Sequence, residues 1–223
     1  MLSVHQSFIV PKRLLASGKK LLKDNITIDD RVLLNMKRIL FVIPFLSSGG
    51  AERVVSIWAS ELAKLGGDVH LLVFYRVDNE YQLDGKVNIH TIKDNKDEYD
   101  ELTRFGKIIE LRKAFREINP DFVLPFIFYV GLMTTLASIG LSLKIIETIR
   151  IDPRYSPQKT FVRWLRNISV FLSKRCIVQN ELQKEYFPKW FQRRIAVFPN
   201  PISNAFVQCE KVFTNEEIRN IVA

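Results

Sequence analysis

Cysteine is scarce in this chain: two residues, Cys176 and Cys209, in 223. That excludes a disulfide framework and a four-cysteine zinc site. No Cys-x-x-Cys pair is present, so a thioredoxin-like redox centre is excluded as well. The count suits a reducing compartment. Glycine and proline number nine each, too few for a collagen or a linker protein. There is no Gly-x-Gly-x-x-Gly and no Gly-Lys-Ser/Thr, which argues against a dinucleotide fold of the usual kind and against a P-loop ATPase. The first residues, Met-Leu-Ser-Val-His-Gln, lack the basic stretch and apolar core of a secretory signal, and none is expected. What is present is ordinary for a folded domain: 47% hydrophobic and 26% charged residues.

The net charge of +9 is unevenly spread. Residues 150–194 hold 11 Lys/Arg against 3 Asp/Glu, or +8, while residues 36–149 hold 14 against 15. Such a stretch is either a solvated basic surface or a site for an anionic partner: phospholipid, nucleic acid or a phosphorylated substrate. No RNA- or DNA-binding module accompanies it, so no nucleic acid is expected.

Along the chain, apolar runs and helical periodicities alternate. Strands are expected over residues 39–44, 69–75, 87–92, 121–126, 144–149, 176–179 and 195–198. Helices are expected from Ala51 to a Gly66-Gly67 stop, over 102–118, 130–141 and 159–174, and briefly over 180–187 with Asn180 as cap. In the second helix Leu102, Phe105, Ile109, Leu111, Phe115 and Ile118 are expected to face inward, and residues 94–101 read as a charged loop. The alternation predicts an α/β fold: a mostly parallel sheet with helices on both faces. Residues 1–35 read as an extension with a short basic helix over 11–23, or as a leader preceding a start at Met36. Residues 36–202 form the domain, and 203–223 a linker or truncated end. Residues 122–143 are 22 uncharged residues, long enough to span a bilayer. Pro125, Gly131 and Gly140 interrupt the run, so a strand, a turn and a buried helix are the preferred reading.

In parallel sheets ligands bind beyond the carboxyl ends of the strands. There the first strand is followed by Ser47-Ser48-Gly49-Gly50 and a helix opening Ala51-Glu52-Arg53. Glycines allow close backbone approach, and a helix N-terminus favours phosphate. The plain alternative is a tight strand-to-helix turn. His70 and His90 fall within strands and read as structural.

Four segments in order resemble a family. Lys37–Pro44 followed by Gly49-Gly50-Ala51-Glu52-Arg53-Val54 resembles the opening of the family 4 glycosyltransferases. Ile149-Arg150-Ile151-Asp152-Pro153-Arg154 resembles a Ser-Glu-Arg-x-Asp-Pro segment of its bacterial polysaccharide subgroup. Cys176-Ile177-Val178-Gln179-Asn180 resembles a Val-x-Ser/Gln strand end, and Val197-Phe198-Pro199-Asn200-Pro201-Ile202 the Val-Ile-Pro-Asn-Pro-Ile that closes a first domain.

The resemblance implies the Rossmann-like N-terminal, acceptor-binding half of a two-domain GT-B fold. The implied reaction is retaining transfer from a nucleotide-sugar, in cell-envelope polysaccharide or glycolipid synthesis, to a glycan or lipid-linked acceptor. It implies no metal and no cofactor, consistent with the lack of an Asp-x-Asp motif. Implied substrate- or diphosphate-binding residues are Gly49, Gly50, Arg53, Arg150, Asp152 and Asn200. For Asp152 a loop cap before Pro153 is an equal reading. No catalytic residue is assigned: the histidine that many members carry after the fourth strand is replaced by Phe126-Ile127-Phe128-Tyr129-Val130.

The implied second domain is missing, so the chain reads as half an enzyme, inactive alone. It would be a truncated gene, a fragment, or one subunit of a split enzyme with a separate donor-binding partner. The alternative is a non-catalytic, membrane-associated acceptor-binding subunit. Basic and aromatic residues interleave over 159–194, and Arg163, Trp164, Arg166, Lys189, Trp190 and Arg193 are candidates to face an anionic membrane. The expected location is cytoplasmic, peripheral on the inner face of the cell membrane.

Overall fold

The computed structural model describes residues 37–47 and 49–201. The expected basic helix over 11–23 and the end segment 203–223 lie outside the described residues. Seven strands form one parallel sheet: β1 (Arg38–Ile43), β2 (Asp68–Val73), β3 (Asn88–Thr91), β4 (Phe122–Pro125), β5 (Lys144–Thr148), β6 (Arg175–Val178) and β7 (Ile195–Val197). Their order is β3-β2-β1-β4-β5-β6-β7. The chain therefore reverses its direction of travel across the sheet between β1 and β4, the place where such sheets open a crevice.

The helices are α1 (Gly50–Lys64), α2 (Lys96–Glu101), α3 (Arg104–Ile118), α4 (Phe128–Ala137), α5 (Thr160–Leu172), α6 (Glu181–Glu185) and α7 (Lys189–Gln192). Alternation along the central strands feeds two cores. Phe41 and Ile43 pack with Val55 and Trp58 of α1; Leu40 and Val42 pack with Leu111 and Phe115 of α3 and Val130 of α4. A third cluster joins Val170 of α5 to Cys176, Phe187 and Phe191.

Two expectations need correction. Residues 94–101 are not all loop: Asn95 caps α2 by accepting from the Glu98 amide at 3.0 Å, and Tyr99 is buried against Phe74. Phe105 and Ile109 point outward, 71% and 49% exposed. They lie on the opposite side of α3 from Leu111, Phe115 and Ile118, and one helix face can pack on the sheet. The uncharged run 122–143 is the strand and helix preferred from the sequence, β4 and the ten-residue α4. Among the described residues no helix is long and apolar enough to cross a membrane.

Candidate functional site

A cleft of about 390 Å³ opens at the carboxyl ends of the strands, over the β1/β4 crossover. Its walls come from the start of α1 (Gly50, Ala51, Val54), the turn after β4 (Ile127, Phe128), the end of β5 (Glu147 to Ile151) and single residues after β6 and β7, Gln179 and Asn200. Parallel strands place all these ends at one pole, although they are up to 150 residues apart in sequence (Gly50 to Asn200).

Arg150 is the central cation. Its guanidinium lies 4.3 Å from the centre of the Trp58 ring and 5.2 Å from that of Phe126. Such stacking suits a weakly hydrated, planar cation. Nη1 donates to Asn200 Oδ1 at 3.0 Å, and Gln179 Nε2 donates to the same oxygen at 3.2 Å. Nε and Nη2 are buried and have no partner among the described residues. Burial pulls the guanidinium down to about 10, so it stays charged at neutral pH. A charge held dry with two unpartnered nitrogens is costly, and pairing with an oxyanion would relieve that cost.

Glu147 lies deeper, within β5 itself. It is buried, and Ser169 Oγ donates to its Oε1; Ser169 in turn shares a 2.8 Å hydrogen bond with Thr135. Desolvation raises the carboxyl to about 7, partly offset by the Ser169 bond. It fits because α4 carries Gly131 opposite: a Cβ there would sit 2.4 Å from Glu147 Oε2.

The turn after β1 differs from its expected role. Gly49 is the N-cap of α1 and offers no side chain, while Glu52, third in the helix, folds its carboxylate back over it. A Cβ on Gly49 would meet Glu52 Oε2 at 2.0 Å. The helix thus supplies its own anion at its positive end, as a capping-box carboxylate does. A phosphate at Gly49-Gly50 would meet this buried carboxylate.

The expected site residues therefore separate. Gly50, Arg150 and Asn200 line the cleft, with Gly49 adjoining. Arg53 and Asp152 do not line it. Asp152 accepts from the Arg154 amide at 2.9 Å, the loop-cap reading. Arg166, expected to face a membrane, is buried: it donates to the carbonyls of Pro153 (2.9 Å) and Ser156, and lies 5.2 Å over Tyr186. It clamps the 151–158 loop and itself lines the cleft. Sequence reasoning missed Glu147 and Trp58 as site residues. A lone carboxylate inside Lys-Ile-Ile-Glu-Thr-Ile was the legible signal for the first, since a charge in a buried strand is expensive. His70 and His90 are structural as expected, joined at 2.8 Å with Asp68 behind His70 at 2.9 Å.

Ile127, which caps α4 and lines the cleft, has φ 74°, a strained value for a β-branched residue. Strain at the crossover, a dry cation and a buried carboxyl mark the carboxyl rim of this α/β domain as its candidate site.

The model for Glycosyltransferase Family 4 matches residues 48–206. The chain belongs to that family. It is 29% identical to a Campylobacter jejuni enzyme named GalNAc-alpha-(1->4)-GalNAc-alpha-(1->3)-diNAcBac-PP-undecaprenol alpha-1,4-N-acetyl-D-galactosaminyltransferase, over 74% of this chain and 46% of the relative. The fold is similar to that of Anabaena Alr3699/HepE, solved with UDP and glucose (TM-score 0.53, 13% identity, 75% of this chain and 45% of that one). It is also similar to a glycosyltransferase from Rickettsia africae (TM-score 0.52, 17% identity, 83% and 48%). The chain spans about half the length of the relatives it matches.

Proposed function

We propose that this chain is the acceptor-side half of a retaining glycosyltransferase, acting with a nucleotide-sugar donor in cell-envelope polysaccharide or glycolipid synthesis. The observation that carries this reading is Arg150: a charged, dry guanidinium with two unpartnered nitrogens at the β1/β4 crossover. Transfer from a nucleotide-sugar develops negative charge on a leaving diphosphate. A preorganised cation in a water-poor cleft stabilises that charge. Asn200, itself held by Gln179, fixes the guanidinium in place, and both residues add amide groups for sugar hydroxyls. By likeness to the Campylobacter relative, the acceptor is a glycan on an undecaprenyl diphosphate.

The reading includes peripheral attachment to an anionic membrane. Helix α5 is inverted: it buries Arg166, Ser169 and Val170 and turns Phe161, Trp164 and Leu172 outward. Trp190 of α7, 64% exposed and 5.5 Å from Phe171, continues the apolar surface. Arg163, Lys189 and Arg193 flank it. An apolar stripe edged by cations is the pattern of an interfacial helix.

The test is sugar transfer from a panel of UDP-sugars to an undecaprenyl-diphosphate-linked glycan. The chain is assayed alone and with a family donor-binding domain added. Product that needs both, retains the anomeric configuration and disappears in Arg150→Met supports the reading. Product from the chain alone, or transfer indifferent to Arg150→Met, refutes it.

A further inference from the structure

The opposite pole of the sheet carries a second groove, of about 580 Å³. Its lining includes five cations: Lys144, Lys174, Arg175, Arg193 and Arg194. The topology explains the convergence. Lys144 is the first residue of β5, Arg175 the first of β6, and Arg194 immediately precedes β7. These strands are parallel neighbours, so their starts share one edge. The Lys174 amide donates to the Ile145 carbonyl at 2.9 Å, and the Cys176 amide to the Arg194 carbonyl at 3.0 Å. The backbones bearing the charges are therefore fixed side by side.

No acid among the described residues pairs with them. Among the described residues none of the five forms an ion pair. The acid near enough to feel Lys144 is Asp121, which is held by Lys37 Nζ at 3.2 Å and the Arg38 amide at 3.0 Å. Arg175 Nη1 donates to the Arg193 carbonyl at 3.3 Å, and Arg194 lies 5.8 Å over Phe191. The C-terminus of α5 also ends here, but a helix end presents only about half a negative charge. Five cations exceed what it can neutralise, and their mutual repulsion is relieved by a multivalent anion.

We propose that this groove is an anion site for a phosphate-bearing group, separate from the carboxyl-rim cleft. Arg175, Arg193 and Arg194 can grip a phosphate through paired donors, and Lys144 and Lys174 add point charge. Leu172, 68% exposed, lines the same groove and ends the outward apolar stripe of α5. A phosphate carried on a lipid headgroup and a phosphate free in solution present the same chemistry to it.

Two probes distinguish the sources. Inorganic pyrophosphate is titrated into the chain by calorimetry. Sedimentation is measured with phosphatidylcholine vesicles, with and without phosphatidylglycerol. Each is repeated with Lys144→Gln/Lys174→Gln/Arg194→Gln, whose three side chains are exposed, and with Arg150→Met. The charge-keeping Lys174→Arg/Arg194→Lys pair controls for folding. The expected result is binding that survives Arg150→Met and the control, and falls about tenfold or more in the triple variant. Pyrophosphate binding of this kind identifies a soluble phosphate compound; binding seen with phosphatidylglycerol vesicles and not with pyrophosphate identifies a headgroup. Failure of both probes to bind, indifference to the triple variant, or loss confined to Arg150→Met overturns the proposal.

Discussion

Arg150 Nη1 donates to Asn200 Oδ1 at 3.0 Å, joining the end of β5 to the segment after β7 across 50 residues of sequence. The bond uses one edge of a guanidinium whose flat face rests on Trp58 and whose other nitrogens stay unpaired. The cation is thus oriented more firmly than it is satisfied. Arg150→Met keeps much of the packing against Trp58 and removes the desolvated charge. We expect it to fold at least as stably, with a Tm unchanged or raised by a few degrees, about 1–3 kcal/mol. Transfer in the complemented assay should fall at least about tenfold. A large drop in Tm would show the guanidinium to be structural.

Glu147 makes stability depend on pH with a defined sign. Its folded-state value of about 7 lies above the ordinary 4.5, because burial favours the neutral acid. The native state therefore binds more protons than the unfolded state between those two values. Its stabilising contribution is full below about pH 4.5 and is lost as pH rises through 7, by about 3 kcal/mol in all. Urea unfolding of the wild type across this range should show the decline, and Glu147→Gln should flatten it.

Gly131 and Glu147 should be energetically coupled. Gly131→Ala places a methyl group where the carboxyl lies, so a loss of about 1–3 kcal/mol is expected. In a Glu147→Ala background the same methyl enters vacated space and should cost much less. A double-mutant cycle of denaturant midpoints measures this; additive losses would contradict the packing described.

The outward face of α5 and α7 gives a prediction separable from the fold. Trp164 and Trp190 are 58% and 64% exposed, so Trp164→Ser/Trp190→Ser should change stability by no more than about 0.5 kcal/mol. Sedimentation with phosphatidylglycerol-containing vesicles should drop severalfold. Unchanged sedimentation would leave the stripe without a role in membrane binding.

Much of the fold was legible in the residues. All seven strands lie within two residues of the segments expected for them; the central ones are legible because a parallel strand covered on both faces must be apolar, whereas the edge strand β3, Asn-Ile-His-Thr, is largely exposed. Thus the strand of Ile39 to Ile43, the glycine stop after α1 and the Asn119-Pro120 end of α3 needed no tertiary information. That Gly50, Arg150 and Asn200 gather at one cleft was legible because strand ends converge at one pole in any parallel sheet. The roles of Asp152 and Arg166 were not. Charge and spacing in 150–194 do not reveal which cations turn inward, and Arg166 turned in because the carbonyls of Pro153 and Ser156 needed donors.

The chain's own order of apolar and polar residues thus determined the parallel sheet and the pole at which a ligand must sit. Tertiary structure decided what that pole can do. Trp58 and Arg150 are 92 positions apart, Gly131 and Glu147 are 16, and Gly49 answers a carboxylate on the helix that follows it. Desolvation and stacking, which set the charge state of Arg150 and Glu147, arise only when those residues are brought together. The five cations of the amino pole likewise become one groove only because β5, β6 and β7 lie side by side.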